Sequence, residues 1–256
     1  MKAMKIALAA AAATVALAGA ATAQELKASY NVGITSDYVF RGVSQTQEDP
    51  AIQGGVDLSY GIAYAGVWAS NVDFGTNDPS TEIDFYAGVK PTVGDTSLDF
   101  GVLYYGYTED KGLTPGSFSF VELKAAASRA FGPATVGAAV FYSPEYAGKG
   151  GSSTYVELNA AMPIAEKLTL SGAVGNQSIK NYKDYSTWNL GVAYALTDKL
   201  AADLRYHDTS EHGLGKIYDS RVVVSLKKRD TVLAWDRNWK ELVATKDRAP
   251  DAEEAD

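Results

Sequence analysis

The chain has 256 residues, with 23 Lys and Arg against 31 Asp and Glu, and no cysteine. A net charge of −8 argues against a nucleic-acid partner, which needs a basic stripe. The missing cysteines exclude disulfides, thiol nucleophiles and Cys-based metal sites.

At the N-terminus Lys2 and Lys5 precede an alanine-rich apolar run, Ile6 to Ala18, which ends at Ala21-Thr22-Ala23. A positive segment, a short apolar segment and small residues at a cleavage position read as a secretory signal peptide over 1–23. After it no window approaches the ~18 apolar residues of a transmembrane helix.

From Lys27 to Lys228 the sequence alternates with period 2. In Glu82-Ile83-Asp84-Phe85-Tyr86-Ala87-Gly88-Val89-Lys90, the residues Ile83, Phe85, Ala87 and Val89 share one face and the polar set shares the other. Phe120 to Ser128 and Thr154 to Ala160 repeat the pattern. The alternation predicts twelve strands: 27–43, 51–60, 62–71, 82–92, 96–107, 117–130, 134–142, 154–162, 167–176, 185–196, 199–208 and 217–228. Their connections alternate between tight turns and longer polar loops. This is the pattern of an all-β, antiparallel up-and-down transmembrane β-barrel, with the apolar face outward toward lipid. The expected organisation is a signal peptide over 1–23, a barrel over 24–228 and a periplasmic extension over 229–256.

Parity then predicts the lumen wall. Asp37, Asp57, Glu82, Asp84, Asp99, Glu122, Glu157, Asp203 and Asp219 face inward, together with Arg41, Lys90, Lys124, Arg205 and Arg221. The acidic excess predicts a weak preference for cations. Tyr86, Tyr105, Phe120, Phe141 and Tyr155 are bulky inward residues that narrow any passage. Tyr38, Phe40, Phe74, Tyr104, Tyr107, Phe118, Tyr142, Tyr206 and Tyr218 lie near the long loops and read as an interfacial aromatic girdle. In this reading Ser36 to Ser44, SDYVFRGVS, continues the first strand, with Asp37 and Arg41 inward and Tyr38 and Phe40 toward lipid.

The segments SYNVGITSDYVFRGVSQTQEDPAIQGGVDLSY, YAGVWASNVDF, EIDFYAGVK and FGVLYYGY resemble the proteobacterial TorF-family porins. The resemblance runs from about Ser29 to Lys228. It implies an outer-membrane β-barrel, and supplies neither a substrate nor catalytic residues. Beyond Lys228 it ends. Val232, Trp235, Trp239, Leu242 and Val243 recur at helical spacing, and the stretch from Ala249 to Asp256 reads as an acidic tail.

Catalysis finds little support. His207 and His212 are the two histidines, with Asp208 and Ser210 beside them in sequence and Ser152 and Ser153 far away. Acyl transfer needs a nucleophile, a base and an orienting group in mutual reach, which spacing does not supply. Asp73, Asn77 and Asp78 share one loop but lack the full calcium-loop pattern. The expected protein is therefore a non-enzymatic porin-like channel for small polar solutes or ions, without cofactor or metal. Its expected partners are outer-membrane lipid, the barrel-assembly machinery and small solutes or cations. The alternatives are a side-chain-filled structural or adhesive barrel, and a lipid-modifying enzyme.

Overall fold

The computed structural model describes residues 25–75, 79–110, 112 and 117–235. In chain order the strands are β1 (Leu26–Thr35), β2 (Val39–Phe40), β3 (Val43–Ser44), β4 (Ala51–Tyr60), β5 (Ala63–Asn71), β6 (Thr81–Val89), β7 (Thr92–Val93) and β8 (Thr96–Tyr107). They continue as β9 (Phe120–Phe131), β10 (Ala134–Tyr146), β11 (Gly151–Ala165), β12 (Leu168–Ile179), β13 (Tyr185–Ala195), β14 (Leu200–Thr209) and β15 (Arg221–Trp235).

Twelve of these form a closed antiparallel barrel. Successive wall strands pair as neighbours, β6 joins β8 directly, and β1 pairs with β15 to close the ring. The short β7 adds two pairs beside β8 at the turn, and β2–β3 form a separate hairpin. Closure pairs both edges of every wall strand, which a strand-built object in a bilayer requires. Among the described residues there is no α-helix, only short 3₁₀ turns at Ala147–Lys149, His212–Leu214 and Lys216–Tyr218.

The two faces differ as alternation demands. On β6, Glu82 and Asp84 are buried while Phe85 is half exposed. On β15, Val223 is buried between the exposed Val222 and Val224. The outside is a belt of Val, Leu, Ile and Phe, and the inside carries the carboxylates and guanidinium groups. A water-soluble sandwich or barrel has the reverse arrangement. Tight turns such as Gly61-Ile62, Gly94-Asp95 and Gly132-Pro133 line one rim, and the longer loops line the other.

Several expected strand ends move by three or four residues, as in β9, β10 and β11, and two changes alter the wall. The first wall strand ends at Thr35 rather than 43, because the chain turns inward after Ser36. The last begins at Arg221 and runs past Lys228, pairing Asn31 with Arg229 and Leu26 with Trp235 across a bulge at Ala28/Ser29. Barrel wall thus replaces the start of the expected helical extension, since β1 offers an open edge there that a strand satisfies and a helix does not. The signal segment 1–23 and the tail from 236 lie outside the described residues.

Candidate functional site in the barrel lumen

The segment Ser36 to Pro50 folds into the barrel as a lid across its interior. Its tip is a two-residue turn, Arg41-Gly42, between β2 and β3, and both residues have positive φ, 48° and 84°. Such a turn matches the right-handed twist of a hairpin, yet Asn-Gly is its usual sequence. An arginine there costs about 1–3 kcal/mol of backbone strain, so its side chain must recover that in contacts. Gly42 cannot be replaced without collision: a Cβ would lie 2.3 Å from Thr187 Oγ1.

Arg41 recovers the strain on the opposite wall. Its Nη1 and Nη2 donate to the two oxygens of Glu122 at 2.8 and 2.7 Å, and Nη1 also donates to Gln177 Oε1 at 2.9 Å. The guanidinium lies 4.6 Å from the Phe40 ring centroid, 5.0 Å from Phe141 and 4.3 Å from Tyr155. Tyr105 donates to Glu122 at 3.1 Å and packs edge-on against Phe40. Both partners are nearly or fully buried. A paired, bidentate and ring-sandwiched arginine is the form in which a buried charge is tolerated.

The base of the hairpin is tied by Asp37. Ser44 and Thr46 donate to its Oδ1 at 2.7 and 3.0 Å, and Arg221 donates to Oδ2 at 2.9 Å. Arg221 also approaches Glu48 at 3.6 Å, and Lys216 pairs with Glu48. Tyr38 donates to Glu82 at 2.8 Å and its ring meets Trp68. Asp37 and Arg41 are therefore interior, but as parts of a hairpin and not as one strand face. Tyr38 and Phe40, expected at lipid, also point inward.

Toward the tight-turn rim the wall residues pair among themselves. Lys124 meets Asp99 at 2.7 Å, with Lys90 at 3.9 Å and Tyr64 donating to the same carboxylate at 2.7 Å. Tyr86 donates to Asp57 at 2.6 Å, while Tyr155 and Asn159 serve Glu157. Arg205 bridges Asp203, Asn189 and Ser171, in space that Gly191 leaves free. Asp219 is not on the wall: it lies in the loop before β15, where its carbonyl accepts from Arg221.

Several interior residues escaped the parity reading. The predicted strand 167–176 stops one residue short of Gln177, which lies on β12 with the parity of Ser171 and Gly175. Lys227 lines a lumen cavity, and Arg229, two residues on, sits on the same face of β15 toward the tight-turn rim. Both share the parity of Arg221, and that signal was available. The expected girdle divides. Tyr104, Tyr142 and Tyr206 pack with or among exposed outer residues, while Phe74, Tyr107, Phe118 and Tyr218 line a cavity inside the long-loop rim.

Of the histidines, His207 faces the lumen beside Arg205. His212 pairs with Asp208 at 2.8 Å, a hydrogen bond that holds its imidazolium above the ordinary histidine range. Among the described residues neither hydrogen-bonds a serine. Asn77 and Asp78 of the calcium-like loop lie outside the described residues.

The family model described as "Bacterial protein of unknown function (Gcw_chp)" matches residues 18–234. The chain belongs to the Gcw_chp family. The TorF name rests on the quoted segments alone. No curated protein matches the chain. Among solved structures, this Gcw_chp protein is similar to the KdgM porin, at 6% identity and TM-score 0.54, over 79% of this chain and 98% of that one. It is also similar to the NanC porin, at 11% identity and TM-score 0.51, over 82% of this chain and all of that one. KdgM has also been solved in complex with disordered oligogalacturonate. At these identities the likeness is one of fold: the Gcw_chp chain has the porin-like barrel.

Proposed function

We propose that this Gcw_chp protein is a narrow outer-membrane channel through which small polar solutes or ions diffuse, with the hairpin around Arg41 setting its bore. The reading includes export behind segment 1–23, insertion by the barrel-assembly machinery and outer-membrane lipid against the apolar belt. The observation that carries it is the hairpin itself. It separates polar-walled cavities of about 330 and 240 Å³ from one of about 410 Å³ at the long-loop rim. Glycine-spaced, charge-lined space beneath the hairpin suits passage of small hydrated species better than a packed structural core, which leaves few voids.

Selectivity follows from charge near the hairpin. With Lys227 and Arg229 included and Asp219 removed, the described interior carries eight acids against seven bases: Asp37, Asp57, Glu82, Asp84, Asp99, Glu122, Glu157 and Asp203 against Arg41, Lys90, Lys124, Arg205, Arg221, Lys227 and Arg229. The wall is close to neutral. Around the constriction Glu122 is matched by Arg41, Glu82 accepts from Tyr38, and Asp84 Oδ1 is buried without a hydrogen-bond partner. The excess of one acid in a low-dielectric passage lined by acceptor oxygens favours cations weakly. Reversal potentials under a KCl gradient test this. The expected result is a modest cation preference that falls when Asp84→Asn and Glu157→Gln are combined. Anion preference in the unmodified protein would defeat it.

A further inference from the structure

The cavity of about 410 Å³ at the long-loop rim is unlike the rest of the interior. Five long-loop junctions bring rings to it. Phe74 and Phe118 lie 5.2 Å apart, Phe120 and Tyr146 4.6 Å, and Tyr185 and Tyr218 5.5 Å, and Phe40 of the hairpin forms the floor. These side chains come from five wall-strand junctions and the hairpin, so their convergence is a product of the barrel and not of local sequence.

The lysine and the side-chain amide donors around the cavity are already committed, and the hydroxyls of Tyr146, Tyr185 and Tyr218 add polar atoms at its edge. Lys183, the one charged lining residue among those described, is ion-paired with Glu211. The Gln45 amide donates to Val43 O at 3.0 Å and the Gln47 amide to Asp73 O at 3.4 Å. Ser44 serves Asp37, and Tyr182 donates to Gly148 O. Among the described residues a charged ligand would find no free counter-charge, and a sugar would have a few phenol hydroxyls in place of its many water contacts. An apolar ring loses little: it can stack or meet ring edges, and it displaces water that such walls hold poorly. The volume is also of the size small-ligand pockets have.

The geometry points to a binding site, inside the long-loop rim and directly above the hairpin, for a small uncharged compound bearing a flat apolar ring. This goes beyond the permeation reading and does not depend on conductance. An occupant would rest on Phe40, one residue from the turn that carries Arg41.

Saturation-transfer NMR on the full chain in deuterated detergent, with empty micelles subtracted, tests it using two probes. Phenyl β-glucoside carries the ring, and methyl β-glucoside carries the sugar alone. Saturation is expected on the phenyl protons of the first and none on the second. Phe118→Ala and Phe74→Leu, the latter keeping apolar bulk, should each weaken phenyl glucoside binding about threefold to tenfold. Both variants must keep heat-modifiable migration on gels to count as folded. Equal saturation of methyl glucoside, no saturation of either probe, or unchanged binding by both folded variants would overturn the assignment.

Discussion

Arg41 and Glu122 join a hairpin tip to the opposite barrel wall through two hydrogen bonds of 2.8 and 2.7 Å, inside a cage of Phe40, Phe141 and Tyr155. Each residue justifies the other: Arg41 occupies a strained turn position, and Glu122 is fully buried. Removing either partner should cost about 3–5 kcal/mol, because the survivor is left as an uncompensated buried charge. The double variant Arg41→Ala, Glu122→Ala should recover part of that loss. Thermal shifts of the folded gel band across the double-mutant cycle measure the coupling. Additive losses would show that the pair contributes no coupling.

The belt makes a second prediction. Leu123 and Val156 are outward and roughly half exposed. Leu123→Arg or Val156→Arg should cost about 2–4 kcal/mol if near the bilayer midplane. Urea titration of refolded protein in lipid vesicles gives the number. Harmless arginines at both sites would mean that this face does not meet lipid.

The extended last strand changes what truncation should do. Ending the chain after Trp235 keeps every β1–β15 pair and should leave assembly and heat-modifiability intact. Ending it after Lys228 strips the partners of Leu26 to Asn31, exposing unpaired backbone at the tight-turn rim. That variant should unfold several degrees lower or assemble poorly. Equal behaviour of the two truncations would place the functional end of the wall at Lys228.

What was legible in the sequence, and what was not, follows from range. Ile83 against Glu82 and Asp84 states the wall's two faces through period 2, a local property, so strand number and inside-outside sense came from reading neighbours. The lid was missed for a different reason. Val39, Phe40 and Val43 look like strand whether they extend the wall or form a hairpin inside it. The decision rests on partners 81 and 136 residues away, Glu122 and Gln177. Arg41-Gly42 did carry a hint, since a glycine between strand-like pairs is a turn signal. Tyr107 and Lys227 were a different kind of miss. Each has the parity of an inward residue, Tyr105 and Arg221 respectively, and both face the interior in the fold.

The central claim is that the hairpin sets the bore of an open barrel. Single-channel recording of the full chain and of Arg41→Ala in planar bilayers, at about 1 M KCl to screen surface charge, tests it most directly. The unmodified protein should give small, steady unitary currents. Arg41→Ala, with the tip released from Glu122, should give larger currents with frequent transitions between levels. Absence of unitary current in both proteins would contradict the account and identify a filled, non-conducting barrel. Identical currents in both would show that the passage runs elsewhere than past the hairpin.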